Sequence, residues 1–538
     1  MELENIYNIA RKAGIDEKYI EPYGKYKAKV DLSIMDELKD KKDGKLVLVT
    51  AITPTKAGEG KTTMSCALTE GLNKIGKSVM LCLREPSLGP VFGVKGGATG
   101  GGKVTVEPGE DINLHFNGDM HALTSSINLI SACIDNSIYQ GNPLNINPER
   151  VVWKRALDMN DRTLRDITIA QGSKVNGVTR KDGFIITVAS ELMAVFCLAT
   201  SKEDFKKRVS EIIVAYTYEE QPIRIKDLRI TNAIMKLMNN ALNPNLVQTG
   251  EHNPALIHGG PFANIAHGCN SLIATKLALK LKDIVVTEAG FAADLGAEKF
   301  LDIKCQVGGL TPSLVVLVAT IRALKMHGGQ SLENIQELNI DALKEGVSNL
   351  KQHLENIAKF GLDAIVAINH FASDHEEEVE WLKTWCEENG YKVSFVDGFA
   401  LGGVGAIDLA NKVVASLEEN KSSYHSLYDH NDTDVKKKIR TICQEIYRAD
   451  DVEFSKKAEE DIKRYVTMGY ASSYICMAKT PQSFSDDPKV LNTPRGFKIN
   501  VREVNLSAGA SFLIPLTGSI LTMPGLPKVP AAVKMEDE

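Results

Sequence analysis

Residues 46–83 read LVLVTAITPTKAGEGKTTMSCALTEGLNKIGKSVMLCL and contain the clearest pattern of regular structure in the chain. The aliphatic run Leu46–Ile52 is typical of a strand that is covered on both faces, and Ser78–Leu83 is similar. Between them, apolar residues in Met64–Ile75 recur at helical spacing. Strand, helix and strand in this order predict a parallel, doubly wound α/β sheet.

Runs of the same kind occur along the rest of the chain. The further predicted strands are Phe184–Ala189, Ile284–Thr287, Leu314–Ala319, Ala364–Ile368 and Lys392–Val396. Strand and helix alternate most regularly near residues 45–85 and 280–415. We therefore predict a discontinuous nucleotide-binding core of P-loop type from residues 1–130 and 281–415, with two additional α/β lobes: an inserted lobe at 131–280 and a C-terminal lobe at 416–538.

The composition argues against several classes of protein. The 538 residues carry a formal net charge of −6, so there is no excess of basic residues for binding a nucleic-acid backbone. No apolar run approaches the ~20 residues that a membrane span needs, and the first residues have no apolar export signal. The nine cysteines are an odd number and form no CxxC pair. We therefore expect a cytoplasmic protein without disulfides.

The loop Thr53–Thr63, TPTKAGEGKTT, lies between the first strand and the helix. This position is what a phosphate-binding loop requires, because backbone N–H groups and the helix N-terminus then face the phosphates. Lys61 can reach the β- and γ-phosphates, and Thr62 or Thr63 can bind Mg²⁺. The residues predicted to bind the nucleotide are Thr55, Lys56, Ala57, Gly58, Glu59, Gly60, Lys61, Thr62 and Thr63.

Two positions of this loop call for comment. Thr55 occupies the position of the first glycine in the pattern GxxxxGK[ST], so a glycine-rich surface turn is the alternative interpretation. Lys56 resembles the additional lysine of partitioning-type ATPases. We favour a solvated lysine, or one at the edge of the phosphates, at this position.

A second group of polar residues follows the strand Ser78–Leu83. Arg84 could bind a carboxylate or phosphate through two hydrogen bonds, and Glu85 could hold Mg²⁺; a surface ion pair is the alternative. The segment Gly93–Lys103, GVKGGATGGGK, then has six glycines in its first ten residues. Its backbone must approach another part of the protein closely or move.

Two further constellations have structural as well as functional interpretations. His252, His258 and His267 match no spacing that is typical of a zinc site, so we favour structural or substrate-lining roles. Glu288 and Asp294 follow the strand Ile284–Thr287 and could lie near a cation or an anion site. Capping of a helix by Asp294 is equally compatible with the pattern.

The sequence resembles the formate–tetrahydrofolate ligase family along nearly its whole length. GVKGGATGGGK at residues 93–103 is similar to the first signature of that family, and VATIRALKMHGG at 318–329 to the second. Further matches are HGGPFANIAHGCNS from His258 and LTMPGLPKVPAA from Leu521.

The resemblance implies a reaction in which ATP, formate and tetrahydrofolate give 10-formyltetrahydrofolate, ADP and phosphate through formyl phosphate. It implies a homotetramer that a monovalent cation, K⁺ or NH₄⁺, activates. Carried over by position, Lys61, Arg84 and Glu85 are catalytic, with Arg84 binding formate. Phe371 and Phe399 would hold the two faces of the pterin. Mg²⁺ would be held by Thr62 and Glu85.

Three residues depart from the family pattern: Phe399 replaces Trp, Lys103 replaces Tyr and His370 replaces Arg. Phenylalanine keeps an aromatic face but loses area and an N–H donor. Two other classes remain open from the residues alone. These are a partitioning or regulatory ATPase, and a P-loop ligase of the dethiobiotin synthetase type that acts on another carboxylate.

Overall fold

A computed structural model of the chain describes residues 2–56 and 58–537. Its largest element is a sheet of twelve strands. In chain order these are β1 (Ile20–Pro22), β2 (Ala28–Val30), β3 (Lys45–Ala51), β4 (Val79–Leu83), β5 (Gly100–Gly101), β6 (Val104–Glu107), β7 (Asn245–Thr249), β8 (Pro254–Ile257), β9 (Ile284–Glu288), β10 (Pro312–Ala319), β11 (Ala364–Asn369) and β12 (Lys392–Val396).

The centre of the sheet is parallel, with strand order β8-β4-β9-β3-β10-β11-β12. β7 pairs antiparallel with β8, and β2 and β6 pair with β7. Six of the seven predicted strand runs form part of this parallel section. The prediction of an α/β protein with a mostly parallel sheet is therefore confirmed.

The predicted strand Phe184–Ala189 was wrong. Only Phe184–Ile185 is extended, paired with Arg155–Ala156, and Thr187–Ala189 forms a 3₁₀ turn. The Ser190 side chain then accepts a hydrogen bond from the Met193 N–H and begins a buried helix. A short apolar run fits a buried strand and a buried helical entry equally well, so periodicity could not distinguish them.

Helices cover both faces of the sheet. The longer ones are α1 (Ile6–Ala13), α2 (Lys61–Lys74), α3 (Asp119–Tyr139), α4 (Glu191–Leu198), α5 (Lys202–Glu211), α6 (Thr231–Met238), α7 (Leu272–Leu281), α8 (Ile321–His327), α9 (Ile340–Ala358), α10 (Glu376–Glu388), α11 (Ile407–Glu419), α12 (Val435–Glu445) and α13 (Lys456–Thr467). One apolar core lies between the sheet and α2 and α11. A larger core on the other face includes residues of α1, α7, α9, α10 and α12.

A third core lies among α3, α4, α5 and α6. Most of its residues belong to the segment predicted as an inserted lobe, but Leu123 and Ile127 precede that segment, and Ile303 and Phe512 follow it. Smaller sheets complete the structure: Ile146–Val151 with Ile213–Thr217 and Pro222–Arg224; Ile167–Ile169 with Arg180–Asp182; Asp451–Phe454 with Lys498–Val501; and Tyr474–Ile475 with Phe512–Leu516 and Glu503–Ser507. β7, β8 and α7 lie within residues 131–280 but pack with the central sheet. The division into domains stays a prediction.

One helical segment, Gly398–Glu419, is long and apolar enough to cross a membrane by length and composition alone. It is not one continuous α-helix, because a 3₁₀ turn at Gly402–Ala406 separates a short first helix from α11. Leu409, Ala410 and Val413 of α11 are fully buried in the same core as α2. Burial in this core therefore accounts for the apolar residues of α11, whereas Phe399, Leu401 and Val404 in the preceding turns are exposed.

Candidate active site

The carboxyl ends of the parallel strands bring the predicted site residues to one edge of the sheet. The loop after β3 leads into α2, Arg84 and Glu85 follow β4, and Glu288 ends β9. Two residues after the end of β11 comes Phe371, and three residues after the end of β12 comes Phe399. Ligands of open parallel sheets bind at this edge.

Two glycines with positive φ shape the loop before α2. Gly58 has φ +80° and Gly60 has φ +77°, a region that other residues rarely adopt. A Cβ atom on Gly60 would lie only 2.5 Å from the side-chain nitrogen of Asn369. Lys61 is the first residue of α2, whose last turn is followed by Gly76 with φ +79°. These angles let the chain curl tightly before the first turn of α2, as the predicted phosphate loop requires, and nucleotide binding by this loop stays a prediction.

Thr55 has a defined role in place of the expected glycine. Its backbone N–H and its hydroxyl donate hydrogen bonds to Glu59 Oε1 at 2.6 and 2.8 Å. The Asn369 side chain also donates to the Glu59 carbonyl oxygen at 3.1 Å. The loop is therefore closed by the buried Glu59 side chain, while Lys56 is exposed. Ala57, another predicted nucleotide contact, lies outside the described residues.

Thr62 and Glu288 form the pair best suited to a magnesium ion. The Thr62 hydroxyl lies 3.1 Å from each carboxylate oxygen of Glu288, and the Ser65 hydroxyl lies 3.5 Å from one of them. Thr63 follows in the same turn and is half-buried. Hydroxyl and carboxylate oxygens are ligands that Mg²⁺ prefers. Glu288 follows a strand end, the position at which the sequence had pointed to a cation or an anion site.

Positive charge is concentrated around Lys61. The pKa of Lys61 is lowered to about 8, mainly by desolvation of its ammonium group; Glu288 opposes the shift, and the neighbouring Lys95 and Arg84 add to it. Three cations, Lys61, Lys95 and Arg84, thus lie in the neighbourhood of two carboxylates, Glu288 and Glu59. An arrangement of this kind attracts an anion such as a phosphate or a carboxylate.

Arg84 and Glu85 are adjacent in sequence but have different surroundings. Arg84 donates from Nη1 to the Pro261 carbonyl at 3.3 Å, and its buried Nε has no hydrogen-bond partner among the described residues. Burial raises the pKa of Glu85 well above its usual range; the neighbouring Asp119 adds to the effect, and Lys29 opposes it. Glu85 thus neighbours the buried Lys29–Asp119 ion pair. The carboxylate that contacts Thr62 is that of Glu288.

The two predicted folate aromatics follow neighbouring strands in register, since Asn369 pairs with Val396. Phe371 is half-buried, and the Arg322 guanidinium lies over its ring at 3.9 Å from the centroid. Phe399 is 57% exposed, so more than half of its surface is accessible to solvent. Both rings stand at the same edge as the phosphate loop.

Phe399 accounts for two of the glycines in the glycine-rich segment. A Cβ atom on Gly101 would lie 3.1 Å from Phe399 Cε2, and one on Gly102 would lie 2.7 Å from Cγ. The Lys103 N–H donates to the Phe399 carbonyl at 2.9 Å. The backbone of this segment therefore packs directly against Phe399, as the glycine content had led us to expect. His370 lies 3.3 Å from Asp397 on the neighbouring strand end.

The three histidines, for which we favoured structural or substrate-lining roles, differ in their contacts. His258 bonds to Ser271 Oγ at 2.6 Å and to the Ala241 carbonyl at 2.7 Å, and His252 bonds to the Gln248 side chain at 2.9 Å. The His267 ring packs edge-on against Phe512. Across residues 2–56 and 58–537, His, Cys, Asp and Glu form no group of three that could hold a metal ion.

Sequence reasoning missed the residues that hold the phosphate loop from outside. The Thr320 hydroxyl donates to Glu59 Oε2, and Arg322 donates to the Gly58 carbonyl. Both residues lie just after β10, within VATIRALKMHGG. Their place at a parallel strand end was the available signal.

Asp294 caps no helix; it forms an ion pair with Lys479 at 3.2 Å, with both side chains buried.

Comparison with known protein families identifies one match for the whole chain. The family model described as formate–tetrahydrofolate ligase matches residues 1–538.

Proposed function

The chain belongs to the formate–tetrahydrofolate ligase family, and we propose that it uses ATP to join formate to tetrahydrofolate through formyl phosphate. The enzyme is thus an ATP-dependent ligase of folate one-carbon metabolism. The products of the proposed reaction are 10-formyltetrahydrofolate, ADP and phosphate. The observation that carries the proposal is the convergence of Lys61, Arg84 and Glu288 at the ends of three neighbouring parallel strands.

The nucleotide is assigned to the loop before α2. Backbone N–H groups at Gly58 to Lys61 and the N-terminus of α2 would face the phosphates, and Lys61 would neutralise charge on the group that is transferred. Thr62 and Glu288 provide the oxygen atoms for Mg²⁺, which would neutralise phosphate charge when bound. This places Glu288, in addition to the predicted Glu85, among the candidate ligands of the ion.

Formate is assigned to the space beside Arg84. A formate oxygen attacks the γ-phosphorus of ATP, the bond to ADP breaks, and formyl phosphate forms. The N10 amine of tetrahydrofolate then attacks the formyl carbon, loses its proton, and phosphate leaves. The Arg84 guanidinium, with a buried Nε that has no partner in the described structure, can bind the anion in both steps. Positioning and charge neutralisation are the protein's contribution.

The pterin is assigned to the space between the half-buried Phe371 and the exposed Phe399. Because Phe399 is packed against Gly101 and Gly102 from one side, only its remaining face is free for stacking. Stacking of a flat ring on an aromatic side chain contributes on the order of 1 kcal/mol.

We further propose a homotetramer that a monovalent cation activates, working in the cytoplasm. The cysteines support a reducing compartment, because all nine are free and eight are buried. The proposed domain division is a P-loop core from residues 1–130 and 281–415, with lobes at 131–280 and 416–538.

Oxygen transfer tests the route through formyl phosphate. If formate attacks ATP, one formate oxygen bridges carbon and phosphorus and leaves with phosphate. The reaction with ¹⁸O-formate should therefore give phosphate that carries one ¹⁸O, detected by mass spectrometry. Unlabelled formate in H₂¹⁸O is the control and should give unlabelled phosphate. Unlabelled phosphate from ¹⁸O-formate would refute the route.

A further inference from the structure

Arg322 lies between the two proposed substrate sites. Its guanidinium carbon is 3.9 Å from the centroid of the Phe371 ring, and a terminal nitrogen donates to the Gly58 carbonyl of the phosphate loop. Its Nε is 3.8 Å from Glu59 Oε2. The guanidinium thus contacts the proposed pterin platform with its face and the phosphate loop with its edge.

The backbone around Arg322 fixes this position. Thr320 precedes α8, where its hydroxyl accepts from the Ala323 N–H at 3.2 Å and donates to Glu59. Glu59 also accepts two hydrogen bonds from Thr55. A displacement of the loop therefore moves the groups that contact Arg322. Arg322 in turn contacts the Phe371 ring.

A planar guanidinium can make both contacts at once because they use different parts of the group. Lysine has a similar charge and reach but no planar face, and its ammonium cannot donate along an edge while stacking over a ring. The geometry requires arginine here, although neither contact involves a substrate atom.

We propose that Arg322 is a positioning residue that couples the ATP site to the tetrahydrofolate site. This inference depends on the proposed function, in which the loop binds ATP and Phe371 binds the pterin. Nucleotide phosphates would fix the loop and its Gly58 carbonyl, which holds Arg322 and thereby the Phe371 ring. The pterin then binds to a ring that is already in place, so each substrate increases the affinity for the other by the same factor.

The test measures this factor directly. Without formate no ligation occurs, so the dissociation constant of tetrahydrofolate can be measured by calorimetry with and without saturating Mg·ATP. We expect ATP to tighten tetrahydrofolate binding about fivefold or more in the unchanged protein. Arg322→Lys should reduce the factor to within about twofold of one. The matched control is Arg11→Lys on the exposed surface, which should keep it.

The ratio of the tetrahydrofolate dissociation constants without and with Mg·ATP distinguishes coupling from a general loss of structure. A general loss of structure would weaken the binding of each substrate but leave this ratio unchanged. If Arg322→Lys does not fold, Phe371→Leu should show the reciprocal loss, in that tetrahydrofolate no longer tightens ATP. The inference is overturned if ATP does not tighten tetrahydrofolate binding in the unchanged protein. It is also overturned if Arg322→Lys or Phe371→Leu keeps the full effect of one substrate on the affinity for the other. If Phe371→Ala leaves tetrahydrofolate binding unchanged, the proposed folate site itself is wrong. If Phe371→Ala weakens it while Arg322→Lys keeps the factor, only the coupling role fails.

Discussion

At the scale of single residues, Phe399 offers the sharpest test of the folate site. The family usually has Trp at this position, and the ring here is 57% exposed. Phe399→Trp enlarges the stacking face, and the open side leaves room for the indole. We expect the Michaelis constant for tetrahydrofolate to fall about two- to fivefold, consistent with roughly 1 kcal/mol of added stacking. The constant for ATP should stay unchanged in the same steady-state assay.

Leu401→Trp is the matched control, since Leu401 lies two residues further along and is 53% exposed. It adds an indole to the same segment without placing it where the family has its aromatic ring. An equal effect of both variants would mean that any added indole increases folate affinity. An effect of Phe399→Trp on stability alone would make Phe399 a packing residue.

The residues of the predicted phosphate loop show which parts of the candidate site could be predicted from the sequence. Gly58, Gly60 and Lys61 follow a local pattern, and local patterns can be identified from the chain alone. The role of Thr55 could not be identified, because it depends on Glu59, whose side chain also bonds to Thr320, 261 positions further along the chain from Glu59. A hydrogen bond across such a distance leaves no spacing that sequence analysis could detect.

At the scale of elements, α2 carries both the proposed catalytic Lys61 and a buried acid. Glu70 is fully buried on this helix, accepts a hydrogen bond from the Glu251 N–H at 3.1 Å, and has one carboxylate oxygen with no partner in the described part of the chain. Burial raises the pKa of Glu70 to about 7, and the nearby Glu251 adds to the shift. The folded state therefore favours the protonated form.

This pKa predicts how Glu70→Gln changes stability with pH. Between the ordinary glutamate pKa of about 4.5 and the folded value of about 7, the native state binds more protons than the unfolded state. Stability of the unchanged protein is then lost as pH rises through this window, by at most about 3 kcal/mol. Glutamine has no charge to bury and keeps an acceptor for the Glu251 N–H. The variant should unfold at higher urea concentration at pH 8 and at nearly the same concentration at pH 4.5.

Glu388→Gln, at the exposed end of α10, is the control and should behave like the unchanged protein at both pH values. A Glu70→Gln protein that is less stable at pH 8 would show that the ionised carboxylate is stabilised in the fold. The pKa of Glu70 would then lie in the ordinary range.

The strands and helices differed in how well they could be predicted. Six of the seven strands of the parallel section were predicted to within one or two residues, because burial on both faces leaves continuous aliphatic runs. The seventh, β8, was not predicted. The segment after β9 was harder. It forms two π-helical turns, Ala293–Ala297 and Phe300–Lys304, in which Asp294, Asp302 and Lys304 are fully buried. A charged residue in a sequence is usually taken as exposed. The burial of these three residues could therefore be identified only from their partners on other elements of the structure.

At the scale of the whole molecule, the segment predicted as a C-terminal lobe shares its interior with the sheet. Ile439, Ile442 and Cys443 of α12 belong to the same apolar core as the strands and α9. Within this contact, Lys479 of the C-terminal lobe and Asp294 of the segment after β9 form an ion pair at 3.2 Å, with almost no exposed surface. Lys479 also donates to the carbonyls of Thr480 and Ser483 and lies 4.8 Å from the Tyr447 ring centroid.

The unequal surroundings of the two partners predict unequal costs of removing them. Lys479→Met leaves the Asp294 carboxylate and two carbonyl groups without their donor, and breaking a buried pair costs about 3–5 kcal/mol. Asp294→Asn leaves Lys479 with its carbonyl partners and nearly unchanged volume, so we expect it to cost less. Urea unfolding should place the midpoint of Lys479→Met below that of Asp294→Asn. Hydrogen exchange of Lys479→Met should accelerate in α12 and α13 before it does in α2.

Lys498→Met is the control for the loss of a lysine, because its ion pair with Glu453 at 2.9 Å is exposed. Exposed pairs contribute about 0–1 kcal/mol, so its midpoint should stay close to that of the unchanged protein. The double variant Lys479→Met with Asp294→Asn should cost less than the two single changes added together, since both remove the same contact. If Asp294→Asn proved as costly as Lys479→Met, the carboxylate would be the main partner of Lys479. The attachment of the C-terminal lobe would then depend on one ion pair, with the carbonyl hydrogen bonds contributing little.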